Sequence, residues 1–417
     1  MARKSGTLSH FVTGRPGQQA DVGQVLQQAR AAHQRGRLQE AEQAYRRVLQ
    51  AQPEQPDALA GLGGIALDTG HTDDAADLFG RAAKGAPGNP EHHFYCGAAL
   101  VHAGRADAGI ASLDQAVRLA PKWADAWTYL GHARRHNDDL DGAEAAYREA
   151  LAQKPNDVQN LINLGGILLH NGQPEEAVSI LRRAVKRDKQ SALAEMNLGN
   201  ALNAANAPAE AIPHLEKATR LAPADSQVWY NLANAYMAAG REARAERAYR
   251  QALTVAPDDP LSLNNLALFL RDSNREEEAL PLFEQAYRLD PGLGIASNLV
   301  QAHINAGDSA EAEGVLNGLR AEATTDAERA ALERLQGALY QRTGHFQDAI
   351  ACLTKAVSLD PDEGRAWAGY MQSGRVQPGD SMVTALRDRL DDPDLPDGPR
   401  TQICFAYAKA LDDLGEP

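Results

Sequence analysis

Seven prolines constrain this chain more than any other feature. Pro53, Pro87, Pro121 and Pro155 follow one another at intervals of 34 residues. Lys189 stands where the next would fall, and Pro223, Pro257 and Pro291 resume the same spacing. A period of this length marks an array of supersecondary units, each too small to bury its own apolar face.

Other positions keep the period. Ala41, Ala75, Ala143, Ala177, Ala211, Ala245 and Ala279 precede each mark by 12 residues, with Gly109 in the one gap. Four residues further on stand Tyr45, Phe79, Leu113, Tyr147, Leu181, Leu215, Tyr249 and Phe283. Gly63, Gly97, Gly131, Gly165 and Gly199 follow a mark by ten residues, and Ala233 and Ala267 continue their series. The fullest copy reads Trp229, Leu232, Ala233, Tyr236, Gly240, Ala245, Tyr249, Ala252, Pro257.

The spacing within a unit is that of two helices. Counting units from residues 56, 90, 124 and onward, positions 4, 7, 8 and 11 share one helical face, and positions 20, 24 and 27 share another. Small residues at positions 8 and 20 let two backbones approach, and the large residue at 24 fills the space between neighbours. Gly70, Gly104, Gly172 and Gly240 end first helices. The proline stops the second helix.

These residues, W-x-x-L-G-x-x-Y, then A-x-x-x-F, then P, resemble the tetratricopeptide repeat. The resemblance covers residues 22–363 and implies an all-α, right-handed superhelical solenoid of antiparallel helix pairs. It also implies a groove, lined by first helices, in which protein ligands lie. The organisation expected is a disordered segment 1–21, an array of about ten units over 22–363, and capping helices over 364–417. The ninth unit is irregular: its turn glycine, Gly307, falls one position early, and Pro291 to Pro361 is 70 residues, two more than two repeats. Beyond Trp367 the turn-rich stretches 376–380 and 391–399 leave room for helices near 380–391 and 399–414.

Composition narrows the function. Only 5% of residues are aromatic while Ala and Leu abound, which suits close-packed helices. The net charge of −14 repels a phosphate backbone, so nucleic acid is not an expected partner. No apolar run has the length of a membrane span and no secretory leader is evident, which makes the cytoplasm the default location. Cys96, Cys352 and Cys404 are too scattered for a disulfide framework or a metal knuckle and read as free thiols. There is no phosphate-cradling glycine loop, zinc-helix motif or nucleophile elbow, so neither enzyme activity nor a cofactor is expected. The acidic residues read as turn and solvent-face charges.

The informative surface is the first-helix face opposite the core stripe, at positions 2, 5, 6, 9, 12 and 13. It is rich in asparagine: Asn163, Asn197, Asn231 and Asn265 at position 6, Asn200 and Asn234 at position 9, Asn264 and Asn298 at position 5, and Asn203 and Asn305 at position 12. Asparagine is a mediocre helix former. Its carboxamide both donates and accepts, as recognition of an extended peptide backbone requires. The alternative is that it bridges neighbouring helices and touches no ligand. The runs at 197–200 and 231–234 resemble the asparagine ladder of O-linked N-acetylglucosamine transferases. Phe94, Tyr95, Tyr129 and Tyr230 are candidate apolar anchors, and Arg135, followed by Arg271, is a sparse cation on this face. Capture of a terminal carboxylate by a basic cluster is therefore not expected. His102, His136 and His170 recur at position 13 with His132 nearby, but helices 8–10 Å apart cannot share one zinc ion through equivalent positions, so no metal is expected.

The reading is a protein-binding scaffold that holds an extended peptide segment. A second reading comes from residues 405–415, from Phe405 to Gly415. They resemble the segment that joins repeat arrays to a sulfotransferase domain in some bacterial proteins, which would make the chain the substrate-recruiting part of such an enzyme. A third is self-association through the end repeats.

Overall fold

A computed structural model describes residues 16–374 and 376–415, with the side chains of 16–21 left aside. The described residues form 23 helices and no strand. They divide into two compact units, 1–221 and 222–417. The first holds six antiparallel pairs: α1 (Pro16–Gln34) with α2 (Leu38–Ala51), α3 (Pro56–Asp68) with α4 (Thr72–Gly85), α5 (Pro90–His102) with α6 (Ala106–Leu119), α7 (Ala124–His136) with α8 (Leu140–Gln153), α9 (Val158–His170) with α10 (Pro174–Arg187), and α11 (Ala192–Ala204) with α12 (Pro208–Leu221). The second holds α13 (Ser226–Ala238) with α14 (Glu242–Val255), α15 (Pro260–Asp272) with α16 (Glu276–Leu289), α17 (Leu293–Ala306) with α18 (Ser309–Arg320), and α19 (Asp326–Thr343) with α20 (Phe346–Leu359). Then follow α21 (Gly364–Gln372), α22 (Ser381–Leu390) and α23 (Asp397–Leu414). Helix α1 begins at Pro16, inside the stretch 1–21 that was expected to be disordered, and residues 1–15 lie outside the described residues.

The periodic positions explain the pairing. Side chains at position 24 are buried without exception from Tyr45 to Phe283, and the small residues at position 20 opposite them are fully covered. Each buried large side chain contributes about 2 kcal/mol. The approach they permit is close. A Cβ added to Gly97 would stand 2.7 Å from the Gly109 carbonyl oxygen, where both helices carry glycine. Within each unit successive first helices also touch, as α9 does α11 and α17 does α19.

The turn between the helices of a pair needs a left-handed residue at its end. Gly36, Gly70, Gly104, Gly172 and Gly240 supply it with φ between 67° and 81°. In the remaining regular pairs Asp138, Asn206 and Asn274 hold the same place at φ 58°, 57° and 56°, the polar residues that tolerate this conformation best. The proline rule is less strict than its spacing suggests. Helix α10 stops at Arg187 with Lys189 in the proline's place, and there the Asp188 amide closes on Ala184 O at 2.9 Å.

Three repeats tie the proline to the next helix in another way. The indole Nε1 atoms of Trp127, Trp229 and Trp367 donate to the carbonyls of Pro121, Pro223 and Pro361 at 2.8–2.9 Å. At the C-terminal end, Trp367 and Met371 of α21, Leu386 of α22, and Ile403, Ala406 and Ala410 of α23 continue the core begun by Leu353 and Ala356.

Candidate functional site

In the first unit the candidate face carries aromatic side chains on α5 and α7 and asparagines on α9 and α11. Phe94 is half-buried, its ring 4.7 Å from Trp123, 5.2 Å from Tyr95 and 5.5 Å from Tyr129. Tyr129 is hydrogen-bonded to His102 Nε2 at 2.8 Å. Tyr95 stacks on Phe79 at 5.4 Å and leaves 43% of its surface to solvent, so of the three it has the most to offer a ligand.

Asn163 takes a hydrogen bond from Gln159 at 3.0 Å on its Oδ1, while its Nδ2 is buried with no partner. The Oδ1 of Asn203 is buried and unpartnered in the same way. Asn197 and Asn200, both half-buried, make no side-chain hydrogen bond among the described residues. Arg135 is exposed and unpaired. It lowers the pKa of His132, adding to the larger effect of that imidazole's burial. His132 is itself 3.2 Å from the Tyr147 hydroxyl. Among the described residues no group of three His, Cys, Asp or Glu side chains could hold a metal ion.

In the second unit the asparagines are used differently. Asn298 donates to Asn264 at 2.9 Å and Asn265 donates to the Tyr230 hydroxyl at 2.6 Å, bridging successive first helices. Asn234 accepts from Tyr249 at 2.5 Å within its own pair. Asn231 accepts from Gln227 at 3.3 Å and keeps a buried Nδ2 without a partner. The thirteen residues singled out in the sequence thus fall on two units, seven on the first and six on the second.

Three features escaped the sequence reading. The first corrects the view that acidic residues lie on turns and solvent faces. Glu195 is 1% exposed at position 4, where the adjacent repeats have Leu161 and Trp229, and accepts from His214 Nδ1 at 2.6 Å and Lys217 Nζ at 2.5 Å. It stands in the repeat that follows the missing proline at Lys189. The second is a set of buried polar side chains at position 3, His92, Asn160 and Ser262, where Ala58, Ala126 and Ala194 stand elsewhere. Asn160 bridges to Thr128 Oγ1 at 2.8 Å.

The third corrects the scarcity of cations. Arg334, Arg342 and Arg365 share a cavity of about 490 Å³ in the second unit with Gln301, Asn305 and Gln341. Arg334 lies at position 5, Arg342 at 13 and Arg365 at 2 once the offset after Pro291 is applied.

Fold, helix pairing and periodic core define a tetratricopeptide-repeat protein. The chain belongs to the family described as the cilia and flagella-associated protein 70 C-terminal domain, whose profile matches residues 2–226 and again 124–335. Two overlapping matches to one profile are what a long periodic chain produces. A tetratricopeptide repeat profile matches residues 330–363. No curated protein sequence matches the chain. Among solved structures, yeast Tom70 superposes over 95% of this chain and 97% of its own, with a TM-score of 0.50 at 15% identity, a likeness of fold. YrrB, described as a TPR protein with an unusual peptide-binding site, covers 45% of this chain and 97% of its own (TM-score 0.41, 21% identity). MamA covers 40% and 92% (TM-score 0.36, 27% identity).

Proposed function

We propose that the chain is an adaptor that holds an extended segment of a partner protein against the first-helix face of its first unit. The observation that carries this is the state of four carboxamides there. Asn163 and Asn203 each keep a buried polar atom without a partner, and Asn197 and Asn200 between them are free. An unmet buried donor or acceptor costs about 1–3 kcal/mol. An extended segment presents one N–H and one C=O per residue and can meet both kinds of group. Tyr95 supplies an apolar anchor at the other end of the same face.

The test is a peptide-display selection on the full chain. Selected peptides are expected to lose binding at least about tenfold, or 1.4 kcal/mol, on the Asn163→Ala/Asn197→Ala/Asn200→Ala variant. Its thermal midpoint should not fall. Peptides that bind both proteins alike would place the ligand elsewhere.

A further inference from the structure

The cavity between α17, α19, α20 and α21 is unusual for a chain of net charge −14. Three guanidinium groups line it, and no carboxylate does. Among the described residues the carboxylate paired with these arginines is Glu363, whose Oε1 lies 3.1 Å from Arg334 Nε. Arg342 and Arg365 have no ion pair and no hydrogen bond among the described residues. Both are exposed, so they pay no burial cost, and no carboxylate of the described residues neutralises them.

Arg334 is different. Its side chain is 14% exposed, and its Nε makes no hydrogen bond with acceptable geometry despite the proximity of Glu363. Burial depresses its pKa and the charge of Arg365 adds to this, while Glu363 opposes both. A guanidinium held against a like charge in a half-closed recess is stabilised by an added anion. The amides of Gln301, Asn305 and Gln341 stand beside the arginines. Gln341 is committed to the Gly369 carbonyl and the Ser373 hydroxyl, each at 2.8 Å, which fixes the α19–α21 wall of the cavity.

We infer that this cavity binds an acidic internal segment of a partner protein, its Asp or Glu side chains gripped by Arg342 and Arg365 above the buried Arg334. Arginine's planar fork matches a carboxylate in two parallel hydrogen bonds. The positions are those of a first-helix face, so a chain running along the helices would pass over them. Net charge argues that such affinity is local, because the rest of the molecule repels an acidic ligand. The site shares no residue with the asparagine face of the first unit, and the inference does not depend on it.

The probe is a short, fluorescein-labelled poly-glutamate peptide, N-acetylated and C-amidated, titrated with the full chain by fluorescence polarisation. Binding is expected for this peptide and not for its poly-glutamine counterpart. Arg342→Ala/Arg365→Ala should weaken it at least about tenfold, and more salt should weaken it further. Both side chains are exposed and unpaired, so the thermal midpoint of this variant should match wild type. The triple asparagine variant should bind poly-glutamate as wild type does, so this result and the display result are independent. Failure of poly-glutamate to bind, or equal binding by the double arginine variant, overturns the inference. So does binding that needs a free C-terminal carboxylate, or inorganic phosphate binding as tightly as the peptide, which would make this a small-anion pocket.

Discussion

Gly199 and Leu215 share one volume: a Cβ on the glycine would stand 2.4 Å from the leucine Cγ. Gly165 with Leu181 and Gly337 with Leu353 repeat the relationship at 2.5 and 2.7 Å. Position 8 and position 24 therefore have to be chosen together. Gly199→Ala is expected to cost about 1–3 kcal/mol by overpacking. Leu215→Ala alone should cost about 2–5 kcal/mol by leaving a cavity. The double variant should cost less than the sum, because the new methyl enters the space the leucine leaves. Strict additivity in urea denaturation would contradict this.

The Glu195 cluster should respond asymmetrically. Its carboxylate is 1% exposed, whereas the side chains of His214 and Lys217 are 34% and 33% exposed. Removing both partners strands a buried charge, so His214→Leu/Lys217→Met should cost about 3–5 kcal/mol. Glu195→Leu leaves two side chains that water can reach and should cost under about 2 kcal/mol. Equal losses in denaturation would refute the assignment of Glu195 as the buried partner.

Acid should weaken the first unit. Burial holds both His92 and His132 below the ordinary value of 6.5, with Asp57 partly opposing at His92 and Arg135 assisting at His132. The unfolded chain therefore takes up these protons first as pH falls. Their contribution is complete above 6.5 and is lost as pH drops toward the folded values. The fall in thermal midpoint from neutral pH to mildly acidic pH should be smaller for His92→Ala/His132→Ala than for wild type. An unchanged fall would remove these two residues as its cause.

A more acidic window belongs to α19. Thr325 and Glu328 form a capping box, and amide hydrogen bonds from Thr325 and Thr324 lower the Glu328 pKa to about 2. This contribution is present above 4.5 and disappears as pH falls through about 2. Thr325→Ala should cost about 1 kcal/mol and speed amide exchange in the first turn of α19. Exchange confined to its last turn would contradict the cap.

The helix pairs were legible because their constraints are local and recur. A small residue opposite a large one, and a left-handed residue at each turn, leave the same mark every 34 residues. Asn206 and Asn274 do not stand out as turn residues in the sequence because neither is glycine, although their register gives them away. The face was less legible. Asn197 and Asn265 both stand at position 6, yet one is free and the other donates to Tyr230, a distinction set by what the neighbouring repeat presents. Arg334, Arg342 and Arg365 were hidden by the two-residue offset, which moved them out of the register in which cations were counted. Glu195 was hidden because nothing local says that His214 and Lys217 will meet it.

Adaptor function along the first unit's asparagine face is tested most directly by amide exchange on the full chain with and without a display-selected peptide. Slowed exchange is expected on α9 and α11, lost in the triple asparagine variant. Protection that appears on α10 and α12 instead, or survives in that variant, would contradict it.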